Sequence, residues 1–128
     1  MGDRLPFGVE LTVLPDERAA VALTGEIDLY TSPSFREVLF QGIDGGARRI
    51  ILDLALVTFM DSTAISVLVE GVNRLQPIGG SLAVVCDGGS VRRILAIAGL
   101  QRVLELYPTR DDALRDAAAP GPSGGAST

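Results

Sequence analysis

Three consecutive polar residues, Asp61-Ser62-Thr63, separate an apolar run from an apolar-striped segment. The run at residues 50–54 predicts a buried strand, and a short loop then leads into a helix over about residues 62–76. The first N–H groups of a helix have no partner within it and favour negative charge. The Ser62 and Thr63 hydroxyls are therefore placed where an added anion, such as a phosphoryl group, is tolerated.

The same residues also have ordinary structural interpretations. Serine and aspartate are favoured N-cap residues, so either Ser62 or Asp61 is suited to cap the predicted helix. Asp61 is alternatively placed to orient the neighbouring hydroxyl or to contact a partner, and Thr63 is interpreted mainly as a residue of the first turn. On this motif alone, a helix cap is a more common role for Ser62 than a modification site.

Most familiar catalytic chemistries are excluded by composition. The chain has no His and no Lys, so Ser-His-Asp, Cys-His and Ser-Lys machinery and Schiff-base chemistry are absent. A zinc site would lack imidazole and would have one thiolate. We therefore expect that the protein is not an enzyme and that it binds no metal ion and no cofactor. A hydrolase using Asp28, Asp53 or Asp61 as acid and base is our third hypothesis, and no second feature indicates a substrate.

Length and charge indicate one soluble domain with protein or small-molecule partners. The 128 residues are 47% hydrophobic, which is enough for a core without disulfides or metal. A net charge of −5 disfavours direct nucleic-acid binding. No apolar segment reaches the roughly 20 residues of a membrane span, and the N-terminus does not resemble a signal peptide. A cytoplasmic location is consistent with the single cysteine, Cys86, which lies in an apolar run.

The first half of the chain predicts a hairpin followed by a helix. Extended apolar runs at residues 7–14 and 19–23 flank a turn that begins at Pro15. Ser32 is predicted to cap the first helix, and Pro33 to occupy its first helical position. Phe59, just before the Asp-Ser-Thr motif, is predicted to belong to the core.

The second half continues the alternation of strands and helices. A strand at residues 82–86 precedes a helix that Ser90 caps and that ends at a left-handed Gly99. A strand at 103–107 and a helix from the capping residue Thr109 to about residue 118 complete the domain. The order β-β-α-β-α-β-α-β-α predicts an α/β fold, with a mixed sheet of four to five strands covered by about four helices.

The ends of the domain follow from composition. Residues 1–118 are predicted to form the domain, and residues 119–128, composed of Pro, Gly, Ser, Ala and Thr, to form a disordered tail.

Several segments together resemble a known family, the STAS domains of the anti-sigma-factor antagonist type. The segments Gly25-Glu26-Ile27-Asp28, Phe59-Met60-Asp61-Ser62-Thr63 and Ile78-Gly79-Gly80, followed by the predicted helix at 90–100, occur in the order seen in that family. The resemblance covers about residues 9–117 and implies a STAS-like fold. With this order considered, the phosphorylation interpretation of Ser62 is preferred over the helix cap.

The resemblance implies a regulatory mechanism. Ser62 is expected to be phosphorylated by a partner serine/threonine kinase that is itself the anti-sigma factor. The unphosphorylated antagonist binds that kinase and frees the sigma factor, and a serine phosphatase acts on the phosphorylated form. Thr63 is the second-choice acceptor. The expected partner-binding residues are Asp28, Asp61, Ser62, Thr63 and Ala64.

Ala64 departs from the glycine usual at this position in the family. Its methyl group favours the helix. Whether the methyl group also impedes the approach of a kinase, giving a member that binds without being phosphorylated, stays an open alternative. The runner-up function is a ligand-sensing or scaffold STAS domain that binds a nucleotide or another anion at the same helix N-terminus.

Overall fold

The first two strands of the described chain form a β-hairpin. The computed structural model describes residues 5–116, so the predicted tail and the last two residues of the predicted final helix, 117–118, lie outside it. Strands β1 (Gly8–Leu14) and β2 (Arg18–Ile27) pair antiparallel, with Leu14 opposite Arg18 at the turn. The predicted hairpin is therefore confirmed.

The rest of the described chain alternates helices with strands. These elements are α1 (Ser32–Asp44), β3 (Arg49–Met60), α2 (Ser62–Leu75), β4 (Ser81–Val85), α3 (Gly89–Ile97), β5 (Glu105–Tyr107) and α4 (Arg110–Asp116). Short 3₁₀ turns follow α2 at Gln76–Ile78 and α3 at Leu100–Arg102. The predicted order of elements is confirmed.

All five strands form one mixed sheet in the order β1-β2-β3-β4-β5. The β1–β2 pair is antiparallel, whereas the three other pairs are parallel. The helices make the crossovers that parallel pairing requires. The predicted mixed sheet is confirmed.

Apolar side chains cover both faces of the sheet. The main core lies on the face that carries Ile50 and Leu52, and α1, α2 and α3 all contribute to it. A second, smaller cluster joins Ile51 of β3 to Ala113 of α4 on the opposite face. Successive β3 residues point to opposite faces, so a strand covered on both sides reads as a continuous apolar run.

The central strand β3 is longer than the sequence indicates. Residues 49–53, its first part, pair with β2 on one side and with β4 on the other. Beyond that point β3 pairs with β2 alone, with register shifts, and it continues to Met60. The predicted loop before Asp61 is therefore wrong, because the strand leads almost directly into α2.

The start of α3 also differs from the prediction. Its N-cap position is Gly88, with a positive φ of 105°, so the helix starts at Gly89, one residue before Ser90. The Ser90 hydroxyl instead lies 3.4 Å from the Thr58 carbonyl oxygen, to which it donates. Ser90 as a cap is wrong, whereas Gly99 does adopt the predicted left-handed conformation, with φ 75°.

Candidate functional site

Asp61 is the N-cap of α2. Its backbone is extended, and its carboxylate accepts hydrogen bonds from the backbone N–H groups of Thr63 (2.9 Å) and Ala64 (3.3 Å) and from the Thr63 hydroxyl. The Thr63 hydroxyl first, and then the N–H groups of Ala64, Thr63 and Leu29, hold the pKa of the Asp61 carboxyl below its ordinary value. The cap is therefore a fixed negative charge at neutral pH.

Ser62 is the first helical residue of α2, and its side chain is exposed. Because Asp61 already satisfies the first turn, Ser62 is not needed as a cap. Within residues 5–116 the Ser62 hydroxyl has no hydrogen-bond partner; only its backbone carbonyl does, accepting from the Ser66 hydroxyl at 3.0 Å. The site therefore presents one free hydroxyl at the positive end of a helix.

Thr63 is held by the protein on two sides. Its hydroxyl donates to Asp61 and lies 2.8 Å from the Ser32 hydroxyl of α1. Ser32 is 5% exposed. This bond joins the first turns of α1 and α2, so Thr63 is a structural residue in addition to any contact with a partner.

Ser32 is not the cap that the sequence predicts. The N-cap position of α1 is Thr31, Ser32 is the first helical residue, and Pro33 follows it. The Thr31 hydroxyl accepts from the Asp28 N–H (2.8 Å) and donates to the Glu26 carbonyl (3.0 Å). The helix begins one residue earlier than predicted because Thr31 already closes the preceding turn.

Asp28 lies in the turn between β2 and α1, beside the α2 cap. Its carboxylate accepts from the N–H groups of Tyr30 (2.9 Å) and Thr31 (3.1 Å), and the Asp61 N–H donates to the Ile27 carbonyl at 3.2 Å. The structure thus brings Asp28 and Asp61 together at the carboxyl ends of the neighbouring strands β2 and β3. Asp53 is elsewhere, on the face covered by α4, where Arg110 binds it at 3.0 Å.

Ala64 lies behind the site. Its side chain is completely buried in the main core, while its N–H donates to Asp61. This burial argues against obstruction of a kinase by the Ala64 methyl group, because the methyl group points away from solvent. The same burial argues against a direct contact between the Ala64 side chain and a partner.

Large apolar side chains are exposed around the site. Tyr30 is 86% exposed, and Leu29 beside it is also exposed, in the turn that hydrogen-bonds to Asp61. Phe59 is 45% exposed, so its predicted place in the core is wrong; the irregular end of β3 turns it outward while Met60 is buried. Sequence alternation does not reveal this apolar surface, because Leu29 and Tyr30 lie in a turn and Phe59 lies where β3 pairs irregularly with β2.

No cluster of three or more His, Cys, Asp or Glu suited to a metal ion occurs within residues 5–116. Among those residues, no helix has the length and apolarity needed to cross a membrane. One cavity of about 190 Å³ lies at the far end of α2, around Leu75 and Val103, and does not reach Ser62.

The chain belongs to the STAS domain family, whose model matches residues 10–113. This confirms the family that the sequence motifs indicate. The match includes the β2–α1 turn and the Asp61-Ser62-Thr63 helix start, so the candidate site lies within the family's shared domain.

Curated relatives and a solved structure specify the similarity further. The chain is 30% identical over 112 residues to the anti-sigma-F factor antagonist RsfB of Mycobacterium tuberculosis, covering 85% of this chain and 89% of the relative. It is 30% identical over 95 residues to the anti-sigma-B factor antagonist of Staphylococcus aureus, covering 74% and 88%. The crystal structure of an anti-sigma factor antagonist from Mycobacterium paratuberculosis superposes with a TM-score of 0.80 at 27% identity, covering 88% and 95%. The predicted STAS-like fold is confirmed.

Proposed function

We propose that this protein is a cytoplasmic anti-sigma-factor antagonist whose binding to an anti-sigma serine kinase is switched off by phosphorylation of Ser62. The observation that carries the proposal is the exposed Ser62 hydroxyl at the N-terminus of α2, which has no hydrogen-bond partner within residues 5–116. The naming of the two curated relatives as anti-sigma factor antagonists supports the general role. Release of the sigma factor follows when the antagonist occupies the kinase, and a serine phosphatase restores the binding form.

Ser62 is preferred over Thr63 as the acceptor because of their hydrogen bonds. The Thr63 hydroxyl donates to Asp61 and contacts Ser32, so it must break two bonds before it attacks a phosphate. Ser62 breaks none that involves the residues described. In the transfer, a bond forms between the Ser62 oxygen and the γ-phosphorus of ATP while the bond to the bridging oxygen breaks. ADP leaves, and the hydroxyl proton passes to a base of the kinase.

The charge of the product explains a switch that acts on binding more than on folding. A phosphate adds about −1.5 to −2 charges, and an anion at a helix N-terminus is stabilised by about 0.3–1 kcal/mol at the surface. The fold therefore tolerates it. A partner surface fitted to a neutral Ser62 beside the Asp61 carboxylate meets added bulk and like charge, and each 1.4 kcal/mol lost weakens binding tenfold.

The exposed apolar side chains near Ser62 provide a contact surface for the partner. Leu29 and Tyr30 lie in the turn that contacts Asp61, and Phe59 lies at the end of β3 just before it. An apolar surface next to a modification site is typical of a protein interface. We place the kinase contact on these three residues together with Asp28, Asp61, Ser62 and Thr63.

The proposal is tested by incubating the protein with ATP and the anti-sigma kinases of its own organism, followed by intact-mass and peptide-mapping mass spectrometry. One phosphate on Ser62 is expected. Ser62→Ala should abolish it and keep kinase binding. Ser90→Ala is the matched control, because Ser90 is also an exposed serine in the first turn of a helix and should leave phosphorylation unchanged.

Binding provides the second readout. Ser62→Asp should weaken the kinase complex at least several-fold in calorimetry, whereas Ser90→Asp should not. An unchanged dissociation constant for Ser62→Asp would remove charge exclusion as the mechanism. A stable complex without any phosphate would indicate a constitutive antagonist, and neither complex nor phosphate would favour a domain that senses a nucleotide or another anion.

A further inference from the structure

The outer edge of β1 lacks the features that normally protect an edge strand. Such strands are usually short, bulged, or interrupted by Lys or Pro. The seven residues of β1 contain neither Lys nor Pro and have one charged side chain, Glu10. The pairing of β1 with β2 is regular from Gly8 to Leu14. The opposite edge of the sheet, β5, has only three residues.

The edge of β1 is also apolar, and no other strand of the described residues pairs with it. Within residues 5–116, β1 is paired to β2 alone, so every second residue directs its backbone N–H and C=O outward. Val13 is 79% exposed, and Val9 and Leu11 are partly buried against the main core. A groove of about 370 Å³ lies beside the strand, between Val13 and the end of α1 near Gly45.

We propose that β1 is a homodimer interface, in which two copies pair β1 antiparallel about a twofold axis through Leu11. Such an interface uses the same patch on both copies. In this register Val9 faces Val13 of the second copy, Leu11 faces Leu11, and Glu10 faces Thr12. Apolar residues therefore meet apolar residues on one face of the joined sheet, and polar residues meet on the other.

The sequence of the strand disfavours the neighbouring registers. In antiparallel pairing, a residue whose backbone N–H and C=O point outward must lie opposite a residue of the second copy whose groups also point outward. These residues alternate along β1, so the twofold axis must pass through a residue and not between two residues. An axis through Glu10 places two Glu10 carboxylates directly opposite each other, which is destabilising. An axis through Thr12 places Val9 opposite Pro15, which has no N–H to donate. Of the three registers centred on Glu10, Leu11 and Thr12, the one through Leu11 avoids both conflicts.

The dimer does not involve Ser62. The strand before Ser62 is β3, and β2 lies between it and β1. Dimerisation and modification of Ser62 are therefore independent, and Ser62→Asp should leave the dimer unchanged. A failure to dimerise would therefore leave the proposed kinase binding unaffected, and a failure to bind a kinase would leave the dimer unaffected.

Sedimentation velocity over a range of protein concentrations tests the interface. The wild type is expected to show a concentration-dependent dimer, and Val13→Lys to weaken association at least tenfold. Ile97→Lys is the matched control, because Ile97 on α3 is equally exposed, at 79%, and far from β1; it should associate as the wild type does. A wild type that stays monomeric at about 1 mM, or a Val13→Lys protein that dimerises normally, would overturn the proposal.

Cysteine cross-linking tests the register at two exposed positions. The native Cys86 is buried and does not interfere. Glu10→Cys mixed with Thr12→Cys should form a disulfide-linked dimer under mild oxidation, because these positions face each other across the axis. Each variant alone should link much less. Preferential self-linking of either variant, or no linking in the mixture, would contradict the proposed pairing. The proposal would also be wrong if the wild type stayed monomeric and paired β1 only with a strand of another protein.

Discussion

The first turns of α1 and α2 begin with the same residue type but in different environments. Ser32 and Ser62 each occupy the first helical position. Ser32 is nearly completely buried and its hydroxyl is hydrogen-bonded to Thr63, whereas Ser62 is exposed and its hydroxyl has no hydrogen bond to the described residues. Residue type at a helix start therefore does not define a modification site. The packing of the neighbouring helix decides which hydroxyl a partner can reach.

The two cap residues explain how the difference arises. Asp61 uses its side chain to cap α2 and thereby leaves Ser62 without a structural role. Thr31, at the corresponding position of α1, makes no capping bond, because its hydroxyl is used in the turn with Asp28 and Glu26. The first turn of α2 is capped by the Asp61 side chain, whereas the first turn of α1 is hydrogen-bonded through Ser32 to Thr63 of α2.

The largest expected contrast comes from placing a carboxylate at each serine. Ser32→Asp buries a charge close to the Asp61 carboxylate and should lower the free energy of unfolding by about 3 kcal/mol or more. Ser62→Asp lies at an exposed helix N-terminus and should change it by less than about 1 kcal/mol. Urea unfolding followed by circular dichroism measures both. Equal losses would show that the two sites do not differ in the way described.

Removing the cap should have the next largest effect. Asp61→Ala is expected to cost about 1–2 kcal/mol, and Asp61→Asn, which keeps an acceptor, considerably less. Because folding lowers the Asp61 pKa, its stabilising contribution is present above the unfolded pKa of about 4 and is lost as pH falls through the folded value. Acid unfolding of the wild type should therefore include a loss that Asp61→Asn lacks. Identical profiles would contradict this assignment.

Ala64→Gly separates helix stability from access to Ser62. It should lower the unfolding free energy by about 1 kcal/mol, because glycine is a weaker helix former and a buried methyl group is lost. The rate of Ser62 phosphorylation should stay the same, since the methyl group does not face solvent. A faster phosphorylation in the glycine variant would restore the idea that Ala64 obstructs a kinase.

The bond between the two first turns should give the smallest signal. A double-mutant cycle with Ser32→Ala and Thr63→Val isolates it, and a coupling of about 0.5–1.5 kcal/mol is expected for one hydrogen bond. Thr63→Val should still accept phosphate on Ser62. A coupling near zero would mean that the neighbouring helix does not hold this hydroxyl.

The sequence predicted the elements where local signals are strong. The α2 helix is predicted within one residue, because Asp61 provides its cap and Pro77 with Gly79 ends the apolar stripe. Gly99 adopts its predicted left-handed backbone for the same reason, since glycine tolerates positive φ. These signals lie within a few residues of the feature that they predict.

The errors occur where distant segments decide the outcome. The second half of β3 depends on irregular pairing with β2, so no alternation marks it and Phe59 is misplaced. The Ser32–Thr63 bond joins residues 31 positions apart, and nothing near Ser32 in the sequence indicates it. The motif around Ser62 was therefore predictable, whereas the partner that distinguishes Ser62 from Ser32 was not.

The order of strands in the sheet has a consequence for biosynthesis. Each strand pairs with the strand that precedes it in the chain, so none has to insert between two that are already paired. As the chain leaves the ribosome, β3, β4 and β5 can each add to an edge that is already present. Growth then proceeds at one edge only, and the β1 edge is complete as soon as the first hairpin forms.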